Sequence, residues 1–253
     1  KTRILSCLMA LALCLTLLPA TAQAAGEHQT HPICGQNCSH TGAGETPHPD
    51  DAFANATGLR SFLTGAGRLE LIVEDGSADG KTVGGDSALT GWLLPEGAYY
   101  LKDEVTIDQP IVIRSKVTIC LNGKTLQSKA ENKPVFWIMG GELTLTNCQG
   151  TGKVIHSHSL GGRGTGVQVD SGTFILYGGA TTENIADYGG GVLVKGGTFN
   201  MNSGTIAANR ATIYTGKGNG GGVSVVDGGR FTMNGGTIGG TSATRDYNQA
   251  TGN

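Results

Sequence analysis

The segment from residue 166 to residue 238 repeats itself, and this repetition constrains the fold more than any single residue does. The three units begin at Gly166, Gly191 and Gly222, so their starts are spaced by 25 and 31 residues. Short runs within each unit alternate apolar and polar residues, which is the two-residue period of β-strands. Repeats of this length are typical of solenoids, whose units bury their apolar faces against neighbouring copies. The sequence therefore predicts an all-β fold of stacked coils.

The glycine content agrees with this prediction. The chain has 43 glycines among 253 residues, but it has no Gly-X-Y period and only 7 prolines, which excludes collagen. Glycine accepts backbone angles that other residues avoid, so glycine pairs between short apolar runs predict sharp turns. Aromatic residues make up only 6% of the chain, and we therefore expect an aliphatic core rather than a compact α/β enzyme.

The first 24 residues have the pattern of a secretory signal peptide. Lys1 and Arg3 precede an apolar run from residue 4 to residue 18, and an Ala-Gln-Ala cleavage site occupies residues 22–24. This run is short for a transmembrane helix, and no later run is apolar enough to stop transfer. We therefore expect an exported protein, extracellular or at the cell surface, without a transmembrane segment in the mature chain.

Residues 25–51 form a leader that is rich in histidine and cysteine. Zinc takes four nitrogen or sulfur ligands in a tetrahedron, and Cys34, Cys38, His31 and His40 are the set that this segment offers. A structural zinc ion is thus the one cofactor that the sequence suggests. Two alternatives stay open: a disulfide between Cys34 and Cys38, which an oxidising compartment favours, and a reduced segment without fixed structure.

The rest of the chain divides into two predicted regions. Residues 52–96 lack the repeat and are expected to form an N-terminal cap or linker, because a solenoid needs its end covered. Alternating runs begin near Gly97, and residues 97–253 are long enough for about six coils. The repeat pattern predicts a further strand after the last residue, so we expect the coils to be truncated at the C-terminus.

Cys120 and Cys148 are separated by 28 residues, which is about one coil. Adjacent parallel strands lie about 4.8 Å apart, so the two side chains can meet in neighbouring turns. A disulfide is predicted if the Cβ atoms face each other. A one-residue change of register would leave two stacked free thiols instead.

Catalysis by a β-solenoid needs acidic and basic side chains gathered on one outward face. Asp170, Lys195 and Asp227 follow the Val-x-Val strands of three successive repeats, and they are the weak candidates for such a group. The alternative is a solvated charge ladder without function, because opposite charges on adjacent strands contribute only about 0.2–1 kcal/mol each. Glycosidases need two carboxyl groups at a controlled separation, and the sequence fixes none.

Two further pairs of side chains recur with regular spacing. His156 and His158 alternate on one strand and should share a face, where exposed histidines are more common than ligands. Asn184 and Asn209 occupy equivalent repeat positions near a turn. Buried asparagines at such positions are typical of an internal ladder that satisfies backbone groups.

Several classes of function are disfavoured. The 18 basic and 20 acidic residues give a net charge of −2 without a basic cluster, so a nucleic-acid partner is not expected. Residues 216–221 match GxGxxG, but an apolar alternating run follows where a phosphate-binding loop would open a helix. Residues 161–169 resemble a calcium-binding nonapeptide, although Gly166 stands in place of its aspartate.

The repeats resemble known surface proteins. Residues 199–202 (FNMN) and 231–234 (FTMN) match an FxxN motif, and residues 203–206 (SGTI) and 235–238 (GGTI) match the GGA(I/L/V) class. These motifs are similar to those of polymorphic outer-membrane adhesins. Together with the His/Cys leader and the CLNGKTL run, they make the chain resemble right-handed parallel β-helix surface proteins of gut Firmicutes. The resemblance covers residues 97–243 and implies a right-handed parallel β-helix.

Two functional hypotheses follow. The first is a bacterial surface adhesin or structural stalk without catalytic activity, which binds glycans, host-surface components or cell-wall components. The alternative is a polysaccharide lyase or glycoside hydrolase of the β-helix type, which would need a tight acid and base cluster. Metal capture by the leader is a third hypothesis.

Overall fold

A computed structural model describes the chain over residues 57–58, 91–101, 103–148, 150–156, 164–212, 219–240 and 248–251. The predicted signal peptide, the His/Cys leader and most of the predicted cap therefore lie outside the described residues. Within the described ranges the chain forms strands and turns, with no helix. The all-β prediction is confirmed for this part of the molecule.

Twenty short strands make up the described fold. They are β1 (Thr57–Gly58), β2 (Trp92–Leu94), β3 (Gly97–Tyr100), β4 (Val105–Ile107), β5 (Ile111–Ile113), β6 (Lys116–Cys120), β7 (Thr125–Ser128), β8 (Phe136–Thr146), β9 (Lys153–His156), β10 (Val167–Leu176), β11 (Ala180–Thr182), β12 (Ile185–Ala186), β13 (Val192–Val194), β14 (Thr198–Met201), β15 (Thr205–Ala207), β16 (Arg210–Thr212), β17 (Val223–Val225), β18 (Arg230–Met233), β19 (Thr237–Ile238) and β20 (Gln249–Thr251).

The strands form three sheets in which all pairing is parallel. The first sheet has 11 strands in the order β1-β3-β6-β8-β10-β13-β17, with β2 and β5 joined at β8 and with β14 and β18 joined at β10. The second has 6 strands, β19-β15-β11-β9-β7-β4, and the third has 3, β12-β16-β20. Along the chain, successive strands belong to the first, second and third sheets in turn. For example, β10 belongs to the first sheet, β11 to the second, β12 to the third and β13 to the first again. Each later repeat therefore adds a strand beside its predecessor.

Equivalent positions of the three repeats pair with one another. Val167 pairs with Val192, which pairs with Val223. This register keeps the alternating apolar side chains on one face in every repeat, because a shift of one residue would turn them all outward. Strand β2 already pairs with β5, and β1 pairs with β3, so parallel pairing extends N-terminal of the predicted boundary at residue 97.

The core is aliphatic with a column of phenylalanines. Phe174, Phe199 and Phe231 occupy equivalent positions and stack with ring centroids 4.8 Å and 4.9 Å apart. Phe174 and Phe199 are fully buried, and Phe231 packs against the core from a half-buried position. Offset stacks of this kind contribute about 0.5–1.5 kcal/mol beyond the burial of their area.

The glycine that opens each repeat is required by close stacking. A Cβ atom on Gly191 would lie 2.5 Å from the carbonyl oxygen of Gly222, and one on Gly166 would lie 2.8 Å from that of Gly191. The same carbonyls accept the hydrogen bonds that join the repeats, for example from the backbone N–H of Val192 to Gly222 at 2.8 Å. A side chain at these positions would therefore push adjacent repeats apart.

Candidate functional site

The predicted charge column is only partly assembled. Asp170 lies on β10 and Lys195 follows β13, and the Lys195 ammonium nitrogen lies 3.9 Å from Asp170 Oδ1. Val226, rather than Asp227, occupies the next position of the column, because the Val226 backbone N–H donates to the carbonyl of Val194 at 2.8 Å. Asp227 lies in the following turn with a φ of 52°. The structure thus joins Asp170 to Lys195 and places Asp227 outside the column.

Two neutral donors also hold the Asp170 carboxylate. The Trp137 indole N–H donates to Asp170 Oδ2 at 2.7 Å, and the Gln168 amide nitrogen donates to Asp170 Oδ1 at 2.8 Å. We refer to Asp170, Trp137, Gln168 and Lys195 as the Asp170 network. In the described part of the chain, the contacts of this carboxylate are an indole, an amide and an ammonium group.

The network lies on rigid strands of the first sheet. Gln168 pairs directly with Trp137 on β8 and with Leu193 on β13. Gln168 and Asp170 alternate along β10, so their side chains project from the same side of the sheet, opposite the buried Val167 and Val169. The Trp137 side chain is 9% exposed and presents its N–H to Asp170 rather than to solvent.

A small pocket adjoins the network at Gln168. Its volume is about 150 Å³, and its walls come from the turns that precede β8, β10 and β13 together with outward residues of the sheet. We refer to it as the turn pocket. The side chains that give it chemical character are Asn132, Lys133, Gln168, Asp187, Tyr188 and Leu193.

Backbone and side-chain bonds fix the walls of the turn pocket. The buried His156 ring faces the Lys133 carbonyl through Nε2 at 3.0 Å, and the Thr165 hydroxyl donates to the carbonyl of Gly189. The Gly189 backbone N–H in turn donates to Asn219 at 2.9 Å. The Lys133 ammonium nitrogen donates to Gln109 Oε1 at 2.8 Å, which anchors the first turn as well.

An asparagine ladder supports the same turns from inside. The Asn184 amide nitrogen donates to Asn209 Oδ1 at 3.0 Å, and the Asn209 amide nitrogen donates to Asn248 Oδ1 at 3.1 Å. Asn184 and Asn209 are fully buried, so the predicted internal ladder is confirmed. His156 extends it, because its Nδ1 lies 2.9 Å from Asn184 Oδ1. His156 is thus a buried structural residue, whereas His158 lies outside the described residues.

Cys120 and Cys148 meet as the sequence suggests. Their sulfur atoms lie 3.3 Å apart, with Cys120 buried and Cys148 half-buried, and the two are not joined by a disulfide in the structure. Formation of a disulfide between them stays a prediction. The proposed zinc ligands Cys34, Cys38, His31 and His40 lie outside the described residues. Inside the described ranges, no group of three or more His, Cys, Asp or Glu side chains could hold a metal ion.

Sequence reasoning missed the residues that surround Asp170 and the turn pocket. The outward position of Trp137 and Gln168 could have been found from the sequence, because both residues alternate with apolar residues along their strands. Tyr188 had none, since it lies in a turn between strands and is 44% exposed.

Comparison of the chain with protein-family models, with curated proteins and with solved structures gave no match. The described residues also contain no helix of the length and apolarity that a membrane crossing requires.

Proposed function

We propose that the chain is an exported, non-catalytic cell-surface protein of bacterial type, adhesin-like or structural, that presents a glycan-binding β face. The support for export is the signal-peptide pattern of residues 1–24. The support for glycan recognition is the Asp170 network, and the support for the scaffold is the parallel register of the repeats.

The scaffold that we propose is a right-handed parallel β-helix. Successive repeats supply strands to the three sheets in the same order, and equivalent residues pair from one repeat to the next. A chain that returns to the same parallel sheet after each circuit does so with right-handed connections almost without exception. Such a scaffold holds outward side chains at fixed spacing, which suits recognition of a repeating polymer.

The single observation that carries the functional proposal is that protein side chains already bind the Asp170 carboxylate. Trp137 donates to Oδ2, and Gln168 and Lys195 lie at Oδ1. A glycosidase needs one carboxyl group that carries a proton for the leaving group, whereas both oxygens of Asp170 accept hydrogen bonds from protein groups. Polar side chains that such bonds hold in place beside a sheet are suited to binding a ligand.

The test is to incubate the purified chain with pectins, glycosaminoglycans and host glycans, with and without calcium. Both retained protein and released product are measured, the product as unsaturated ends and as new reducing ends. We expect retention without product. Asp170→Ala should weaken retention, because it removes the acceptor that orders Trp137, Gln168 and Lys195.

The matched control is Asp108→Ala, which removes an exposed carboxylate in a turn between β4 and β5. This variant should be retained like the parent chain. Product formation that Asp170→Ala abolishes would instead establish a lyase or hydrolase and overturn the proposal.

A further inference from the structure

We infer that the turn pocket binds one neutral pyranose ring of a glycan, an inference that rests on the proposed glycan-binding function. The size of the pocket is the first argument. A cavity of about 150 Å³ can accommodate a ligand the size of benzene, a single six-membered ring. The pocket therefore has room for the ring of one sugar unit.

The walls offer the two kinds of contact that a pyranose needs. Tyr188 is 44% exposed, and with the half-buried Leu193 it supplies apolar surface for the C–H face of a sugar ring. The Gln168 amide nitrogen is committed to Asp170, which leaves its carbonyl oxygen as an acceptor for a hydroxyl group. The Asn132 amide adds both donors and an acceptor.

The Asp187 carboxylate of the pocket disfavours acidic sugars. The Lys133 ammonium group already donates to Gln109, whereas no hydrogen bond or ion pair joins the exposed Asp187 carboxylate to another residue in the described part of the chain. A uronate or sialate carboxylate would meet the like-charged Asp187 carboxylate, while the Lys133 ammonium group is directed to Gln109. A neutral sugar can donate hydroxyl groups to the Asp187 carboxylate, and hydrogen bonds to charged acceptors are about twice as strong as neutral ones.

The pocket is formed before any ligand arrives. His156 holds the turn of Lys133, and Thr165 holds the turn of Gly189, so each contributing turn is fixed by bonds to its neighbours. A preformed site avoids the cost of ordering loops on binding. This explains how a pocket of modest size can contribute measurable affinity.

The test measures the affinity of the purified chain by titration calorimetry and saturation-transfer NMR. The probes are methyl glycosides of glucose, galactose, mannose and N-acetylglucosamine, oligosaccharides that end in them, and methyl glucuronide as an acidic probe. We expect at least one neutral probe to bind and methyl glucuronide to bind more weakly. Tyr188→Ala should weaken the affinity for the neutral probe by about tenfold. Tyr188→Phe, which keeps the ring, should weaken it by less than about twofold.

Asp187→Asn tests the polar side of the pocket and should reduce the preference for neutral over acidic probes. Met233→Ala is the control, because Met233 is 46% exposed on β18 and does not line the pocket. Thermal melting of every variant confirms that it is folded.

The outcomes separate this inference from the proposed function. If glycans are retained but Tyr188→Ala and Asp187→Asn bind like the parent chain, the pocket is not the site and the proposed function stands. If acidic probes bind as tightly as neutral ones, the assignment of a neutral sugar is wrong. If the parent chain binds no glycan at all, both proposals fail.

Discussion

His156 joins the asparagine ladder to the wall of the turn pocket. The Asn184 amide nitrogen faces the carbonyl of Thr182 at 2.8 Å, so Asn184 Oδ1 is the atom that faces His156 Nδ1. The Lys133 carbonyl faces His156 Nε2. Both ring nitrogens therefore lie within hydrogen-bond distance of an oxygen atom.

Replacement of His156 by leucine should destabilise the fold strongly. The volume is similar, but leucine makes no hydrogen bond with Asn184 Oδ1 or with the Lys133 carbonyl, and a buried polar group that loses its partner costs about 1–3 kcal/mol. We expect His156→Leu to lower the free energy of unfolding by about 2–4 kcal/mol in urea denaturation. Lys116→Ala is the control, since it removes an exposed ion pair with Glu142 and should cost less than about 1 kcal/mol. Equal effects of the two variants would contradict this role of His156.

Tyr99 predicts how stability depends on alkaline pH. Burial raises the pKa of the Tyr99 phenol above its ordinary value of 10.0, and the hydroxyl donates to the Pro95 carbonyl at 3.0 Å. The folded chain therefore keeps this proton more tightly than the unfolded chain does. The stabilisation is complete below about pH 10 and is lost as the pH rises through the folded pKa.

Tyr99→Phe removes both the hydrogen bond and the titrating group. We expect a loss of about 1 kcal/mol at neutral pH and a shallower fall of stability above about pH 10 than in the parent chain. Denaturant unfolding curves from neutral pH to about pH 11 measure both effects. Parallel stability curves for the two proteins across this range would rule out the contribution of Tyr99.

At the scale of elements, the asparagine ladder links the turns of successive repeats. Asn209 Oδ1 accepts from both the backbone N–H and the side chain of Asn184, and the Asn209 amide nitrogen donates to the Thr181 carbonyl at 2.8 Å. One side chain thus makes hydrogen bonds with two backbone groups of the preceding repeat. The asparagine ladder thus joins the turns of successive repeats by hydrogen bonds, as strand pairing joins their strands.

Asn209→Leu should break this connection. It leaves the Asn184 N–H and the Thr181 carbonyl without their partner, so we expect a loss of about 2–4 kcal/mol in the free energy of unfolding. Asn234→Ala is the matched control, because Asn234 donates to Asn202 Oδ1 on the exposed surface and should cost less than about 0.5 kcal/mol. Hydrogen exchange should show the lost protection at the Asn184 amide. Unchanged protection there would mean that the ladder does not order the turn.

The repeated elements were predictable because their signal is local and periodic. Val-x-Val alternation and the opening glycine of each unit specify the strands and their parallel register. Asp227 does not align with Asp170 and Lys195, and the reason is equally local. The third repeat has Val226 directly after its Val-x-Val strand, so the carboxylate is displaced by one residue into the turn.

At the scale of the whole molecule, the site depends on contacts that periodicity does not encode. The turn pocket combines Lys133, Asp187 and Tyr188 from turns of different repeats, and these turns vary in sequence and length. Only the stacking of the repeats brings them together. The sequence thus predicts the all-β character and one charged pair, but not the pocket.

The fold and the site are tested together by a crystal structure of the purified chain with the neutral glycan that binds most tightly. The proposal predicts parallel repeats with Phe174, Phe199 and Phe231 stacked in one column. It also predicts one pyranose ring in the turn pocket, in contact with Tyr188 and within hydrogen-bond distance of Gln168 or Asp187. A sugar bound elsewhere on the surface, or cleaved in the crystal at Asp170, would contradict the account.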